Sequence, residues 1–268
     1  MGTNKVLIVG VVRNCAQYLN DQVLILSNAF QRFSEIQWLL IESDSSDETR
    51  ELLGALKNKI PSFNFKAMGS LEPLMKSRTQ RIAYCRNQYL KSIRESQEYA
   101  DIEYVVVADF DGVNRLLSSQ AVDSCWSHEG WAVCAANQEG PYYDIWALRH
   151  EVWSPGDCWA QYHFLINHGL PQDASRFAAV YSKMIKVPQN STWLKVQSAF
   201  GGLAIYRKDA LQGGAYIGLD KFGSEVCEHV SLHEEITRSG FGIYINPSLI
   251  NADFIDHTEL FRPKPIVN

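Results

Sequence analysis

A chain of 268 residues that is 46% hydrophobic has enough apolar side chains to build the core of a large α/β domain. Its formal net charge of −5 argues against a general affinity for nucleic acid. No apolar run reaches the roughly 20 residues that a membrane-spanning helix needs, and the chain starts with a short strand pattern instead of a signal peptide. We therefore expect a cytoplasmic protein with no transmembrane segment and no nucleic-acid partner; the oligomeric state is left open.

The first hundred residues alternate between short apolar runs and helical patterns. The apolar runs predict four strands at residues 5–12, 37–42, 63–67 and 103–109. The helical patterns predict helices over residues 16–33, from the acidic loop to about Lys59, and over residues 75–96. Right-handed crossovers between such strands give a mostly parallel sheet with helices on both faces. Residues 1–112 therefore indicate a nucleotide-binding half.

Beyond Gly112 the alternation is less regular. Turn formers among short apolar runs predict loops and short helices from about Ser154 to Gln189, and this segment could move over a ligand. One or two strands are expected within residues 194–207, a helix over 226–239 and a strand at 242–246. We interpret residues 113–268 as the mixed second half of a single domain. Six scattered cysteines without a CxxC pair indicate reduced, mostly buried thiols.

The fourth predicted strand ends in Asp109-Phe110-Asp111-Gly112. Carboxylates at i and i+2 of an extended segment point the same way and repel each other unless a cation lies between them. Open α/β sheets bind ligands at the carboxyl ends of their strands. The pair Asp109 and Asp111 therefore predicts a site for Mn²⁺ or Mg²⁺ that offsets the charge of a diphosphate. A solvated turn is the simpler alternative.

Further polar residues follow the second strand or lie on the third helix. Glu42 and Asp44 are closest to the strand end and are candidates for contacting a nucleoside, whereas Asp47 is more typical of a helix cap. Arg81 and Arg86 share roughly one helix face with a further arginine. Their common target is a diphosphate or only the neighbouring acidic loop.

The order of these motifs resembles that of GT-A glycosyltransferases: an Arg13-Asn14 loop, the acidic loop at 42–47, Arg86-Asn87 and Asp109-Phe110-Asp111. Gly201-Gly202 before a predicted strand is similar to the segment that lets the backbone approach the donor sugar. The resemblance implies a donor-binding set made of Val12, Arg13, Asn14, Glu42, Asp44, Arg81, Arg86, Asp109, Phe110, Gly201 and Gly202. It also implies a GT-A fold, a Rossmann-like, mostly parallel sheet with a mixed acceptor-side half, and Mn²⁺ or Mg²⁺ as cofactor.

Downstream, Cys227-Glu228-His229 and the following Leu232 and Gly240 resemble the xED helix of that superfamily. The Asp of that motif, which often deprotonates the acceptor, is His229 here, so His229 or the adjacent Glu228 is the candidate base. A buried structural histidine is the alternative. His257 resembles the C-terminal histidine that completes the metal coordination in many members.

The stretch from Tyr142 to Arg149 resembles a segment of the capsule-associated α-mannosyltransferases (the CAP59-like group), with an aromatic-Asp-x-Trp pattern after the acidic pair. Aromatic rings stack on sugar faces, so Tyr143, Asp144 and Trp146 are candidates for binding the acceptor; packing in the core is the alternative. The likeness implies a reaction that retains the anomeric configuration, for which no protein base is strictly required.

The sequence thus predicts a metal-dependent transferase that moves a hexose from a UDP- or GDP-sugar to a hydroxyl of a glycan or glycolipid. Asp109-Phe110-Asp111-Gly112-Val113 also resembles the first motif of haloacid-dehalogenase-type phosphatases, with Asp109 as nucleophile and Asp111 as acid. That motif normally opens its domain, whereas about a hundred residues precede it here. A non-catalytic module that only binds a nucleotide sugar is the third hypothesis.

Overall fold

The computed structural model of the chain describes residues 4–263 and contains one eight-stranded sheet in the order β3-β2-β1-β4-β7-β5-β8-β6. The strands are β1 (Lys5–Val12), β2 (Glu35–Glu42), β3 (Phe63–Ala67), β4 (Ile102–Ala108), β5 (Trp131–Gln138), β6 (Leu194–Val196), β7 (Leu203–Arg207) and β8 (Gly242–Ala252). The helices are α1 (Ala16–Ala29), α2 (Thr49–Lys59), α3 (Arg78–Glu95), α4 (Ser119–Asp123), α5 (Cys158–Asn167), α6 (Gln172–Ala179) and α7 (Glu228–Arg238).

The first four strands form the parallel part of the sheet, with β1 pairing in parallel with both β2 and β4. Alternate residues of β1 enter two separate cores because successive side chains of a strand point to opposite faces. Leu7 and Val9 pack in the core that contains α3, whereas Val6 and Ile8 pack in the core that contains α1 and α2. Apolar residues on both faces explain why β1 is an uninterrupted hydrophobic run.

The second half adds a mixed group of strands to the same sheet. β7 runs antiparallel to both β4 and β5, β5 and β8 are parallel, and β6 is antiparallel to β8. Helices α5, α6 and α7 pack on the same face as α3. The predicted α/β class, with a mostly parallel first half, a mixed second half and helices on both faces, is therefore confirmed.

Several predicted boundaries were wrong. Helix α1 ends at Ala29, not at residue 33, and α3 starts after Ser77, whose hydroxyl accepts the backbone N–H of Gln80. Strand β8 continues to Ala252 instead of stopping at 246, because irregular pairing with β5 accommodates Pro247. Strand β5 was not predicted at all, since its small and polar side chains give a weak strand pattern.

The expected loops and short helices between 154 and 189 are present as α5 and α6. All six cysteines are free and buried, as predicted. Within residues 4–263, no helix is both long and apolar enough to cross a bilayer.

A buried polar cluster joins α7 to the sheet. The imidazole of His233 lies 2.7 Å from the Tyr206 hydroxyl and 2.8 Å from the Ser198 hydroxyl. Burial, and next the charge of Arg86, lowers the pKa of His233 to about 3. Burial, then the charge of Arg86 and the interaction with His233, hold the pKa of His229 well below its ordinary value. Both histidines are therefore neutral in the native protein near neutral pH.

Two buried neutral histidines should each make the protein less stable in mild acid, whereas the carboxyls with raised pKa values, Asp109 and Asp144, act in the opposite direction. An unfolded histidine takes up a proton near pH 6.5, whereas these native histidines do so only at much lower pH. The free energy of unfolding should therefore fall below pH 6.5 by about 1.4 kcal/mol per pH unit for each histidine. Urea denaturation at pH 7.5, 6.0 and 5.0 measures this slope.

His233→Asn should change the measured slope relative to wild type by the contribution of one histidine, about 1.4 kcal/mol per pH unit, while His163→Asn, at an exposed position, should leave the slope unchanged. The slope is the quantity compared, because both variants can shift the absolute stability. A His233→Asn variant with the wild-type slope would contradict the assignment of a neutral buried imidazole.

Candidate active site

A cavity of about 380 Å³ opens where β1, β2 and β4 end, at the carboxyl edge of the parallel strands. Further walls come from α3, from residues 143–147, from Phe200 and from the start of α7. Its lining includes the following residues from the predicted site: Val12, Arg13, Asp44, Arg81, Arg86, Asp109, Phe110, Asp111, Tyr143, Asp144, Trp146, Glu228 and His229. The residues of that set outside the lining are Asn14, Glu42, Gly201, Gly202 and His257.

The loops after β1 and β2 are tied to each other at the cavity edge. Asn14 and Asp44 adopt φ of +50° and +58°, a left-handed conformation that Asn and Asp tolerate better than most residues. The Asn14 side-chain oxygen accepts the backbone N–H of Ser46 at 2.7 Å, and Arg13 Nε donates to the Asp44 carbonyl at 3.3 Å. Asn14 therefore shapes the loop, while Arg13 and Asp44 line the cavity.

The carboxylate of Asp44 is fixed by backbone donors. One oxygen accepts the N–H groups of Leu71 and Glu72 at 2.7 and 2.9 Å, and the other lies 3.9 Å from Arg81 Nε. Burial acts to raise the pKa of Asp44, but these N–H groups outweigh it and lower the pKa. Asp44 is therefore an anion beside the cavity.

Glu42 does not reach the cavity, in contrast to the expectation that it contacts a nucleoside. It is completely buried, and its carboxylate accepts Arg50 Nε and the backbone N–H of Ser45, each at 3.0 Å. Asp47 accepts the backbone N–H groups of Thr49 and Ala16, both at 3.1 Å. Both acidic side chains stabilise the loops and the start of α2 instead of facing the cavity.

Arg86 is the charged centre of the cavity wall. Its guanidinium lies 3.0 Å from Glu228 and 3.4 Å from Asp109, and it sits over the rings of Phe200 and Tyr216. Only 5% of the residue is exposed. Arg86 therefore offsets the charges of the buried carboxylate of Glu228 and the half-buried carboxylate of Asp109, which leaves little of its charge for a diphosphate.

Arg81 also has protein partners, since it donates to the carbonyls of Met75 and Lys76 at 2.7 and 2.9 Å. Together with its proximity to Asp44, these bonds connect the segment before α3 to the acidic loop. Arg13 and Arg78 line the cavity and are exposed. They are the arginines of the lining with the most freedom to meet a phosphate.

Asp109 and Asp111 lie on the cavity floor directly after β4, as the sequence predicted. Burial, and next the charge of Asp111, raises the pKa of Asp109 to about 7, although Arg86 opposes this shift. Asp111 is exposed, and one of its oxygens accepts the backbone N–H of Val113 at 3.2 Å. Two repelling carboxylates supply the oxygen donors that Mn²⁺ and Mg²⁺ favour, so these residues fit a divalent cation.

The protein alone does not complete a metal site. Among residues 4–263 there is no group of three or more His, Cys, Asp and Glu side chains placed to hold a metal. His257 is exposed and outside the cavity lining; its ring stacks on Tyr143 with centroids 6.2 Å apart. The structure does not bring His257 into a ligand set with the acidic pair.

Gly201 and Gly202 support the acidic pair from behind instead of lining the cavity. Their φ values are +69° and +82°, which favour glycine. The Gly202 carbonyl accepts the backbone N–H of Asp109 at 2.9 Å. A Cβ on Gly202 would lie 2.7 Å from the Tyr143 hydroxyl and 2.8 Å from Val113. The glycines thus permit close protein packing.

Three buried amides fix this glycine turn, and the sequence reasoning missed all of them. Asn114 donates to the Asp109 carbonyl at 2.8 Å, and Asn251 donates to Asn114 at 2.9 Å and to the Gly201 carbonyl at 2.8 Å. Gln138 donates to the Asn251 side chain at 3.1 Å. The available signal was the position of Gln138 and Asn251 near the ends of β5 and β8, but β5 itself had not been recognised.

The predicted acceptor residues Tyr143, Asp144 and Trp146 also line the cavity. Asp144 accepts the backbone N–H groups of Gly201 and Ala147 at 2.9 and 3.3 Å. The Trp146 indole N–H donates to Asp157 at 2.9 Å, so its ring is held in place by a residue outside the lining. Tyr143 packs between Gly202 and His257.

At the start of α7, Glu228 and His229 also lie beside the cavity, but both are constrained. Glu228 is paired with Arg86, and the His229 ring stacks on Phe200 with centroids 4.0 Å apart. Neither ring nitrogen of His229 has a hydrogen-bond partner. With its pKa well below the ordinary value, His229 accepts a proton poorly near neutral pH.

Gly202→Ala should destabilise the protein more than Gly130→Ala does. Both glycines have φ of +82°, but a Cβ on Gly130 meets nothing within 4 Å. The two variants therefore share the backbone strain, and only Gly202→Ala adds a steric clash. This clash should lower the free energy of unfolding by a further ~1–3 kcal/mol. Urea denaturation of both variants measures the difference, and equal losses would contradict the close packing described here.

Comparison with known proteins places the fold. No protein-family model and no curated protein matches the sequence. The mannosyltransferase PcManGT from Pyrobaculum calidifontis, solved in complex with GDP-Man and Mn²⁺, superposes with a TM-score of 0.52 at 12% identity, covering 92% of this chain and 56% of that one. S. aureus TarS 1-349 in complex with UDP-GlcNAc gives a TM-score of 0.52 at 14% identity, covering 94% and 59%.

These similarities establish the fold of the chain as that of GT-A glycosyltransferases and confirm the predicted fold class. The chain spans 56% and 59% of the lengths of those two proteins. At identities this low, the similarity shows that the backbones share a fold and does not show that the residues of the sites correspond.

Proposed function

We propose that this chain is a metal-dependent glycosyltransferase that moves a hexose from a UDP- or GDP-sugar to a hydroxyl of a glycan or glycolipid. The observation that carries the proposal is the position of Asp109 and Asp111, at the carboxyl end of β4 and on the floor of a cavity edged by the loops of β1 and β2. This edge of an open α/β sheet is where nucleotides bind. Two solved structures with the same fold contain a nucleotide sugar.

Charges on the two sides of the cavity suit a nucleotide sugar. The exposed arginines Arg13 and Arg78 are positioned to meet phosphates, and Asp44 offers a fixed anionic acceptor for a base or ribose. Asp109 and Asp111 would hold Mn²⁺ or Mg²⁺, which offsets the negative charge that develops on a departing diphosphate. The wall with Tyr143 and Trp146 supplies aromatic surface for a sugar.

Within this class the CAP59-like α-mannosyltransferase group is one candidate. Its support is the Tyr143-Asp144-Ile145-Trp146 stretch, of which Tyr143, Asp144 and Trp146 line the same cavity as the nucleotide loops. A mannosyl donor would be the corresponding substrate. The division into a donor half at 1–112 and an acceptor half at 113–268 is part of the same proposal.

Thermal-shift measurements with UDP, GDP and their sugars, each with and without Mn²⁺, test the function. A ligand that binds only the native state raises the melting temperature, so the correct donor should stabilise the protein more with the metal than without it. Release of the nucleoside diphosphate from that donor then distinguishes an enzyme from a module that only binds. Absence of any Mn²⁺-dependent shift across both nucleotide series would count against the proposal.

Asp111→Asn should remove the Mn²⁺-dependent part of the shift and weaken metal-dependent nucleotide binding by about 10–100-fold. The melting temperature without ligand should stay close to wild type, because Asp111 is exposed. Asp101→Asn is the matched control, since this exposed carboxylate precedes the opposite end of the same strand. If both variants keep the full shift, the acidic pair does not hold the metal.

The phosphatase alternative finds less support in the cavity. Such an enzyme would need a lysine and further paired carboxylates beside Asp109, and no lysine is among the residues that line the cavity in the described part of the chain. If the wild-type protein hydrolysed a generic phosphomonoester and the Asp109→Asn variant did not, the result would favour a phosphatase over a glycosyltransferase.

A further inference from the structure

Most carboxylates of the cavity already have an arginine partner. Glu228 and Asp109 share the guanidinium of Arg86 at 3.0 and 3.4 Å. Asp44 lies 3.9 Å from Arg81 Nε. A carboxylate held by a nearby cation is a weaker base, because the cation stabilises its ionised form.

Asp144 differs from these groups. Within residues 4–263 no lysine or arginine nitrogen forms an ion pair with it, and its hydrogen-bond donors are the backbone N–H groups of Gly201 and Ala147. A carboxylate offers about four acceptor positions, so two remain for a ligand. Burial, reinforced by the charge of Glu228, raises the pKa of Asp144, although the two N–H groups and the charge of Arg86 oppose this shift.

Asp144 is linked to the acidic pair through the glycine turn. Its carboxylate accepts the N–H of Gly201, and the carbonyl of the following residue, Gly202, accepts the N–H of Asp109. Asp144 and Asp109 are thus connected through one glycine turn, and both face the same cavity. The donor diphosphate is expected at Asp109, so its sugar lies within the reach of this wall.

His229 and Glu228 are less suitable for proton transfer. The His229 ring is 2% exposed and stacks on Phe200, while Glu228 is needed to balance Arg86. Replacing His229 or Glu228 would disturb the packing of the cavity wall, but it would not remove a group that is free to accept a proton. Their contribution is to position Arg86 and the wall beside it.

We propose that Asp144 is the general base of the transfer, an assignment that rests on the glycosyltransferase function proposed above and on an inverting reaction, not on the retention that the CAP59 likeness implies. The proton of the acceptor hydroxyl passes to a carboxylate oxygen of Asp144 while the acceptor oxygen bonds to the anomeric carbon with inversion of its configuration. The bond from that carbon to the phosphate oxygen breaks, and the nucleoside diphosphate leaves with the bonding electrons.

Hydrolysis of the donor tests this proposal without a known acceptor, because water must lose its proton to the same base. GDP-mannose and UDP-GlcNAc with Mn²⁺ are the probes, and the released GDP or UDP is measured by chromatography from pH 5.5 to 8.5. Asp144→Asn should lower the rate by at least about 100-fold. It should also reduce the fall of the rate on the acid side, to which protonation of Asp109, with a pKa of about 7, contributes as well, while the Mn²⁺-dependent thermal shift with GDP or UDP stays unchanged.

Two further variants separate catalysis from structure. Asp220→Asn alters another loop carboxylate that accepts two backbone N–H groups, those of Phe222 and Ser224 at 2.8 Å, outside the cavity lining. It should keep the wild-type rate. His229→Asn should lower the rate by less than about tenfold and keep the pH profile.

The proposal is overturned if Asp144→Asn keeps its rate within about fivefold, as a reaction in which the donor phosphate takes the proton would predict. It is also overturned if the rate falls with an unchanged pH profile, or if His229→Asn alone abolishes hydrolysis. A wild-type protein that neither gains stability with nucleotide and Mn²⁺ nor releases a nucleoside diphosphate would refute the proposed function itself, and the assignment of Asp144 would fall with it.

Discussion

The arrangement of the cavity depends on the ion pairs of one buried arginine. Arg86 brings the carboxylates of Glu228, from α7, and Asp109, from the end of β4, to the same guanidinium. Burying the charge of Arg86 or of Glu228 alone would be strongly unfavourable, so these groups stabilise each other, and the half-buried Asp109 adds a second partner for Arg86. This interaction joins the parallel half of the sheet to the mixed half at the point where the cavity opens.

The charge balance of this centre is incomplete. Arg86 supplies one positive charge, whereas Asp109, Asp111, Asp144 and Glu228 supply up to four negative charges. The raised pKa of Asp109, about 7, reflects burial and the adjacent Asp111. A divalent cation would relieve this repulsion, and the phosphates of a donor would complete its coordination sphere. The glycine turn and its amides hold the acidic pair in place before any ligand arrives.

The sequence was sufficient for the fold class and for the position of the acidic pair, because hydrophobic periodicity and strand ends are local signals. It was not sufficient for β5, whose small and polar residues acquire their role only from neighbouring strands. The same limit applies to Glu42 and His257: the end of a strand suggested Glu42 and the family resemblance suggested His257, but the direction of each side chain depends on packing. Gln138 and Asn251 give only the weak signal of an amide near a strand end, because their partners are distant in sequence. Asn114 bonds the carbonyl of nearby Asp109, but its bond with Asn251 also joins distant parts of the chain.

The central claim, a divalent cation held by Asp109 and Asp111 against a nucleoside diphosphate, is tested most directly by anomalous diffraction. Crystals grown with Mn²⁺ and GDP or UDP should show a single strong manganese peak within about 2.0–2.6 Å of oxygens from both carboxylates and from the diphosphate. A nucleotide bound in the cavity with manganese absent from these carboxylates, or with both side chains turned away from it, would contradict the account.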